Sequence, residues 1–449
     1  MSTPPRRRRG RPIVGIAVVL AAAAVALVGA RDHAGGWNDS SRLATVECLV
    51  DHQTLVIDDS TYAATGDKLR IGGHFYSDKS PVPGLLMAEE YLLLRALGLP
   101  AAHDDAGEFC WWMTVFSSGL AYVASVWCVW RLGRVLWLPL GPRLALTASF
   151  ALATVALTYS RQVNNHVFLL AVAAGVMLGL ARLARAAEAG RTPWAWLLEL
   201  GCMAGLGYTI DLGAGPPLLA CTGALVVYRC RRAGPVAAFA AAALPWLVLH
   251  HAVNYLIGGT LVPANAIPEY LRWPGSTFTA ENMTGGWHHT ALHFPVYALA
   301  LLAGKKGFLL HNLPLLLAGP AFVALVLRRR APERPELLFA AAWSAITWLL
   351  YAATSTNYSG LCCSVRWLVP LLAPGYYVLA VALRRRPHLL GDFLLLNGWG
   401  GVLAAVLWWR GPWQGSPPAL YWAIVAAALL SWAGYRVARH RQAAKMSAI

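Results

Sequence analysis

Twelve apolar stretches run through the chain, centred on residues 12–30, 109–130, 144–160, 166–181, 194–210, 214–228, 235–257, 307–327, 336–353, 367–383, 390–409 and 419–435. A hydrocarbon core about 30 Å thick takes about 20 residues of helix, so stretches of this length suit a bilayer. Backbone amides find no water there, and spanning parts patterned this way must be helical. The expectation is an all-α polytopic membrane protein of about twelve transmembrane helices, forming one domain over residues 1–449. Some neighbouring spans are parted only by a hinge, as in Asp211-Leu212-Gly213-Ala214-Gly215-Pro216-Pro217.

The 449 residues are 57% apolar and only 13% charged, which excludes a disordered chain, a coiled coil and an ordinary soluble enzyme. A net charge of +16 would suit nucleic acid if the basic residues formed one stripe, but they are dealt out between the apolar stretches. No nucleic-acid partner is expected. Basic short loops are retained on the cytoplasmic side. With the N-terminus inside, the basic tail 1–11 and the six later clusters, ending at Arg436, Arg439, Arg441 and Lys445, all fall inside and hold 25 of the 37 Lys and Arg residues. Both termini are therefore expected to be cytoplasmic, in a multi-pass protein of the plasma membrane. The apolar stretch Leu292–Ala303 breaks this pattern if counted as a span, because every later arginine cluster would then lie outside. At 1.5 Å per residue it reaches only about 18 Å, which suits an interfacial or re-entrant helix before the turn Gly304-Lys305-Lys306-Gly307.

The loop over residues 31–108 is far longer than most of the others, and long ordered loops are usually functional. Leu43, Val46, Leu49 and Val50 recur at helical spacing over residues 40–51, predicting a short helix on the membrane surface. Asp39 and Arg42 sit at the start of that stripe, where a carboxylate can meet a lipid headgroup; equally, Asn38 or Asp39 can be the helix N-cap. Leu85–Leu97 predicts a second surface helix, preceded by Tyr76-Ser77-Asp78-Lys79-Ser80-Pro81. Lys79 can hold a phosphate near that helix start or be a solvated loop lysine. Asp58, Asp67, Asp78, His74 and Tyr76 complete the polar inventory of this loop as candidate substrate or metal contacts.

Elsewhere, the second outer loop carries Arg161, Asn164, Asn165 and His166, which suit either sugar hydroxyls or a tight turn. Arg366 enters a predicted span, where an ionisable group is costly unless paired or functional. The 8 cysteines show no CxxC, and the histidines at 250, 251, 288, 289 and 293 lack metal-ligand spacing. Two acidic groups near Asp39 leave a divalent cation open.

Three features resemble the C-superfamily of membrane glycosyltransferases (GT-C), in particular the family 39-like group with the protein O-mannosyltransferases and the lipid A aminoarabinose transferase. A first span precedes a long outer loop with two surface helices; Asp39-Ser40-Ser41-Arg42 opens the first; Tyr76-Ser77-Asp78-Lys79-Ser80-Pro81 precedes the second. The resemblance implies a GT-C fold and transfer of a sugar from a polyprenyl-phosphate donor to a hydroxyl of a lipid, glycan or protein acceptor. It implies inversion by single displacement at the outer face, with Asp39 as base and Lys79 as the cation for the donor phosphate; Arg42 can hold that phosphate or orient Asp39, and Arg366 can bind it or snorkel to the surface. Asp58 and Asp67 are alternative bases. Two departures stand out: Ser40 follows Asp39 where the mannosyltransferases commonly carry Glu, and the second outer loop lacks a carboxylate. A flippase of lipid-linked sugars and a non-catalytic assembly subunit are the competing functions. The charges gather at one face and the halves show no repeat, which favours the transferase.

Overall fold

The computed structural model describes residues 12–279, 281–327 and 331–447. The basic tail 1–11 and Arg328–Arg330 lie outside the described residues. Helix occupies every one of the twelve expected stretches. Six helices are long and apolar enough to cross a membrane: α4 (Ala106–Val135), α6 (Asn165–Glu188), α9 (Ala233–Gly258), α12 (Arg334–Thr354), α13 (Arg366–Arg385) and α14 (Pro387–Arg410). Around them stand the shorter α1 (Pro12–Gly29), α5 (Leu140–Leu152), α7 (Trp194–Ile210), α8 (Gly215–Cys230), α10 (His293–Ala303) and α11 (Leu313–Val326), with the long α15 (Tyr421–Ser447) at the end. The protein is a polytopic helical membrane protein, and α6 and α13 form its buried middle.

The short α10 behaves as its length requires. Its 11 residues end at Ala303, and the chain then turns so that the amides of Phe308 and Leu309 bond the carbonyls of Leu301 and Leu302. In the third stretch the helix breaks after Leu152, and the freed Val155 amide is taken by Asn312 Oδ1 at 3.0 Å. A buried amide in apolar surroundings would otherwise go unpaired.

The loop after α1 carries α2 (Trp37–Asp51), a hairpin of β1 (Lys68–Ile71) and β2 (His74–Ser77), and α3 (Pro81–Ala96). Gly72 and Gly73 join the strands with φ of +61° and +94°, the left-handed pair that a two-residue hairpin turn needs. Helix α3 starts at Pro81, whose missing amide proton costs nothing in a first turn.

Here the structure corrects one expectation. The stripe of α2 does not lie on lipid: Leu43 and Val46 are fully buried against Met87, Ala88 and Tyr91 of α3 and Phe109 and Met113 of α4. Asp39 and Arg42 are accordingly enclosed in protein rather than projecting to the bilayer boundary. Two short amphipathic helices with facing apolar stripes remove more surface from water together than each does alone. Glu47, wholly buried, then fixes the loop beyond α2 by accepting from Ser60 Oγ at 2.5 Å and the Thr61 amide at 3.0 Å.

Candidate active site

A cavity of about 810 Å³ lies at one end of the helix bundle. The start of α2, the exit from β2, the α7–α8 turn, the end of α12 and the start of α13 converge on it. All of these belong to the end that the arginine pattern predicts to be extracytoplasmic. The segment between α9 and α10 covers the cavity with Arg272, Phe278, Asn282 and His288. It is pinned to the hairpin by Trp273, whose indole donates to the Lys68 carbonyl at 3.2 Å, and by packing of Leu271 on Leu69. This covering segment carries few charges, and sequence reasoning weighed its histidines for a metal cluster without foreseeing that it lines the site.

Seven of the sequence-predicted site residues meet here: Arg42, Asp67, Asp78, Lys79, Asn165, His166 and Arg366. The three cations are not equivalent. Lys79 Nζ bonds Asp67 Oδ2 at 2.6 Å and Asp78 Oδ2 at 2.8 Å, so two carboxylates already hold it. Burial raises both acids, but Lys79 outweighs it at Asp67 and holds that carboxyl low, while burial and the Asp67 charge push Asp78 up. Arg42 and Arg366, in contrast, make no ion pair among the described residues. Arg42 Nη1 donates to Asn38 Oδ1 at 2.7 Å, one helical turn back. Burial, with Arg366 adding repulsion, pushes Arg42 down to about 10. Arg366 lies over the Trp413 ring at 5.4 Å, and its buried Nε has no hydrogen-bond partner. Arg42 is buried and Arg366 half-buried, and two neighbouring guanidiniums that no carboxylate bonds directly suit an anion with several oxygens.

Asp39 is placed differently from the expectation. Its Oδ2 accepts from the Gly35 amide at 2.7 Å and the Trp413 indole at 3.3 Å, and its Oδ1 accepts from the Gly36 amide at 2.9 Å. It caps α2 from the first turn, is 1% exposed and is not among the residues lining the cavity. Burial raises its carboxyl, and these donors counter the rise. A Cβ at Gly35 would come within 1.9 Å of the Gln162 side chain and 2.2 Å of the Trp413 ring, so a larger residue there would have to displace them.

A carboxylate that sequence reasoning treated only as hinge does reach the cavity. Asp211, between α7 and α8, accepts at Oδ1 from the Gly213 amide at 2.9 Å, the Ala214 amide at 2.8 Å and the Tyr351 hydroxyl at 2.5 Å. Its Oδ2 faces His166 Nδ1 at 3.4 Å. Burial raises its carboxyl, with the hydrogen bonds opposing. Gly213 lets Tyr351 approach, because a Cβ would meet the phenol ring at 2.4 Å. The available signal was a lone acid at a span boundary in an acid-poor chain.

The remaining predicted residues are elsewhere. Asp58 pairs with the largely exposed His74 at 2.9 Å and accepts the Phe75 amide, outside the cavity. Tyr76 packs with Leu69 and Leu271. Arg161 bonds the Gly29 carbonyl at 3.0 Å and stacks on Trp408, tying α1 to α14. Asn164 caps α6 by accepting the His166 amide at 2.9 Å. Among the described residues no three metal-ligating side chains converge. The nearest acid pair, Asp67 and Asp78, holds the Lys79 ammonium where a divalent cation would have to sit.

No protein-family model matches the chain, and no curated protein sequence matches it. Solved structures do. The structure of ArnT from Cupriavidus metallidurans bound to undecaprenyl phosphate superposes with a TM-score of 0.54 at 16% identity, over 95% of this chain and 76% of that one. The apo form of ArnT gives 0.53 at 16% identity, over 95% and 75%. The Archaeoglobus fulgidus oligosaccharyltransferase in its apo form gives 0.50 at 12% identity, over 91% of this chain but 57% of that one. The chain therefore shares the overall fold of these neighbours, which are GT-C membrane glycosyltransferases.

Proposed function

We propose that the protein transfers a sugar from a polyprenyl-phosphate donor to an acceptor hydroxyl at the extracytoplasmic face of the plasma membrane, as a single GT-C unit over residues 1–449 with both termini cytoplasmic. The observation that carries this is the couple Arg42 and Arg366 in the cavity, neither of which makes an ion pair among the described residues. The likeness to ArnT, whose structure holds undecaprenyl phosphate, supports the same donor class here. As the acceptor oxygen bonds the anomeric carbon, the bond from that carbon to phosphate breaks and polyprenyl phosphate departs with its charge. Arg42 and Arg366 face that charge as it develops.

Inversion by single displacement needs a base for the acceptor proton. Asp67 and Asp78 are committed to Lys79, and Asp39 is committed to its cap. Asp211 is the cavity carboxylate that pairs with no lysine or arginine among the described residues, so the acid that supports proton removal is Asp211 rather than Asp39. A flippase would place its polar site near the bilayer midplane between repeats, whereas this cavity sits among helix ends and loops.

The test is release of polyprenyl phosphate from synthetic polyprenyl-phosphate pentoses and hexoses by the protein in lipid nanodiscs. Release that depends on Arg366 is expected; movement of donor between leaflets without release would establish the flippase instead.

A further inference from the structure

We infer that His166 and Asp211 form a two-residue base, in which His166 takes the acceptor proton and Asp211 orients and charges-balances it. The inference rests on the transferase reading and adds the residue that touches the acceptor. Asp211 is held as an orienting group would be: three donors fix Oδ1 and leave Oδ2 directed at His166 Nδ1. The 3.4 Å separation is long for a hydrogen bond, as is common at catalytic pairs before substrate binds.

His166 is 4% exposed and lines the cavity, and its Nδ1 has no other partner. With Nδ1 turned to Asp211, Nε2 is the nitrogen left for a ligand. The next residue back, Asn165, also lines the cavity and has a buried Oδ1 without a hydrogen-bond partner, although its Nδ2 bonds the Ile210 carbonyl at 3.4 Å. Asn165 Oδ1, a buried acceptor without a partner on the same wall, suits a ligand rich in hydroxyls and costs free energy while unmet.

The position of His166 is set by Asn164, which caps α6, and by Ser118 Oγ, which accepts the Asn164 amide at 2.8 Å. The second outer loop, lacking a carboxylate of its own, thus borrows one from the α7–α8 turn across the cavity wall. In the step, the acceptor O–H proton passes to Nε2 while the acceptor oxygen bonds the anomeric carbon. The phosphate oxygen keeps the electron pair of the broken bond, and the imidazolium is left against Asp211. The other charged groups acting on His166 are Arg42 of α2, Lys79 before α3 and Arg366 of α13.

The experiment compares wild type, His166→Gln, His166→Ala and Asp211→Asn in nanodiscs, measuring single-turnover release of polyprenyl phosphate, donor affinity by displacement, and a pH profile. His166→Gln is expected to slow transfer by about 10²- to 10⁴-fold with donor affinity within about threefold. Its rate should no longer rise with pH, and free imidazole should partly restore His166→Ala. Asp211→Asn should slow transfer and move the rising limb of the profile to lower pH. A folded His166→Gln that transfers at the wild-type rate with the wild-type pH profile overturns the inference while leaving the transferase intact. Failure of the transferase reading has its own signature, wild type that binds donor and releases no polyprenyl phosphate.

Discussion

Lys79 Nζ lies 2.6 Å from Asp67 Oδ2, with both side chains largely buried, at 13% and 16% exposure. Asp78 closes the triangle. Removing the cation leaves two acids facing each other in a low-dielectric setting, which costs far more than losing a surface pair. Lys79→Ala should therefore destabilise the fold by about 3 kcal/mol, read as a lower thermal midpoint in detergent. Adding Asp67→Asn to it should recover part of that loss. An unchanged midpoint with collapsed donor use would make Lys79 a direct phosphate ligand.

Arg42 and Arg366 present the opposite case, since neither makes an ion pair with an acid among the described residues. Each should matter for the donor and little for the fold. A charge-assisted hydrogen bond contributes about 1.5–3 kcal/mol, so Arg366→Ala should weaken donor binding by about 10- to 100-fold. Arg366→Lys should recover only part of it, because an ammonium lacks the guanidinium's planar fork. Titration of a fluorescent polyprenyl-phosphate analogue decides the matter; unaltered affinity in both arginine variants would remove them from the donor site.

The architecture was legible because lipid leaves few choices. Apolar length gave the helices, and arginine spacing gave a common side to the residues that now line one cavity. The two loop helices were legible as well, from Leu43, Val46 and the Pro81 start. Their orientation was not, since an amphipathic stripe looks the same whether its partner is lipid or Tyr91 and Phe109. At the site, motif spacing located Lys79 and Arg42 but could not say that Asp67 and Asp78 bond the first directly while the second makes no ion pair among the described residues. Asp211 stayed hidden because its partners Tyr351 and His166 are 140 and 45 residues away in sequence.

Asp39 holds the first turn of α2 through Gly35 and Gly36, and that turn carries Asn38 and Arg42 to the cavity. Asp39→Asn keeps one acceptor oxygen and loses the charge. A cap is worth about 1 kcal/mol, so a modest fall in thermal midpoint is expected, together with a loss of transfer of about tenfold, through Arg42 and mainly in donor KM. Asp211→Asn should lose far more, and in kcat. Steady-state kinetics on the two variants side by side separate these roles, and a folded Asp39→Asn with the larger kcat defect would return the base to Asp39.

Glu90 of α3 supplies a pH test remote from the cavity. Its Oε2 is buried without a partner, and burial, reinforced by the charge of Glu89, pushes the carboxyl from 4.5 up to about 7. The folded protein therefore holds this proton more tightly than the unfolded chain does. That contribution is complete below pH 4.5 and is lost as pH rises through about 7. The wild-type thermal midpoint should fall between pH 5 and 8, whereas Glu90→Gln, which keeps the shape and cannot ionise, should show a shallower fall and be the more stable of the two above pH 7. Thermal scans of both proteins across that window check it; parallel profiles would mean that Glu90 is solvated and ionised throughout.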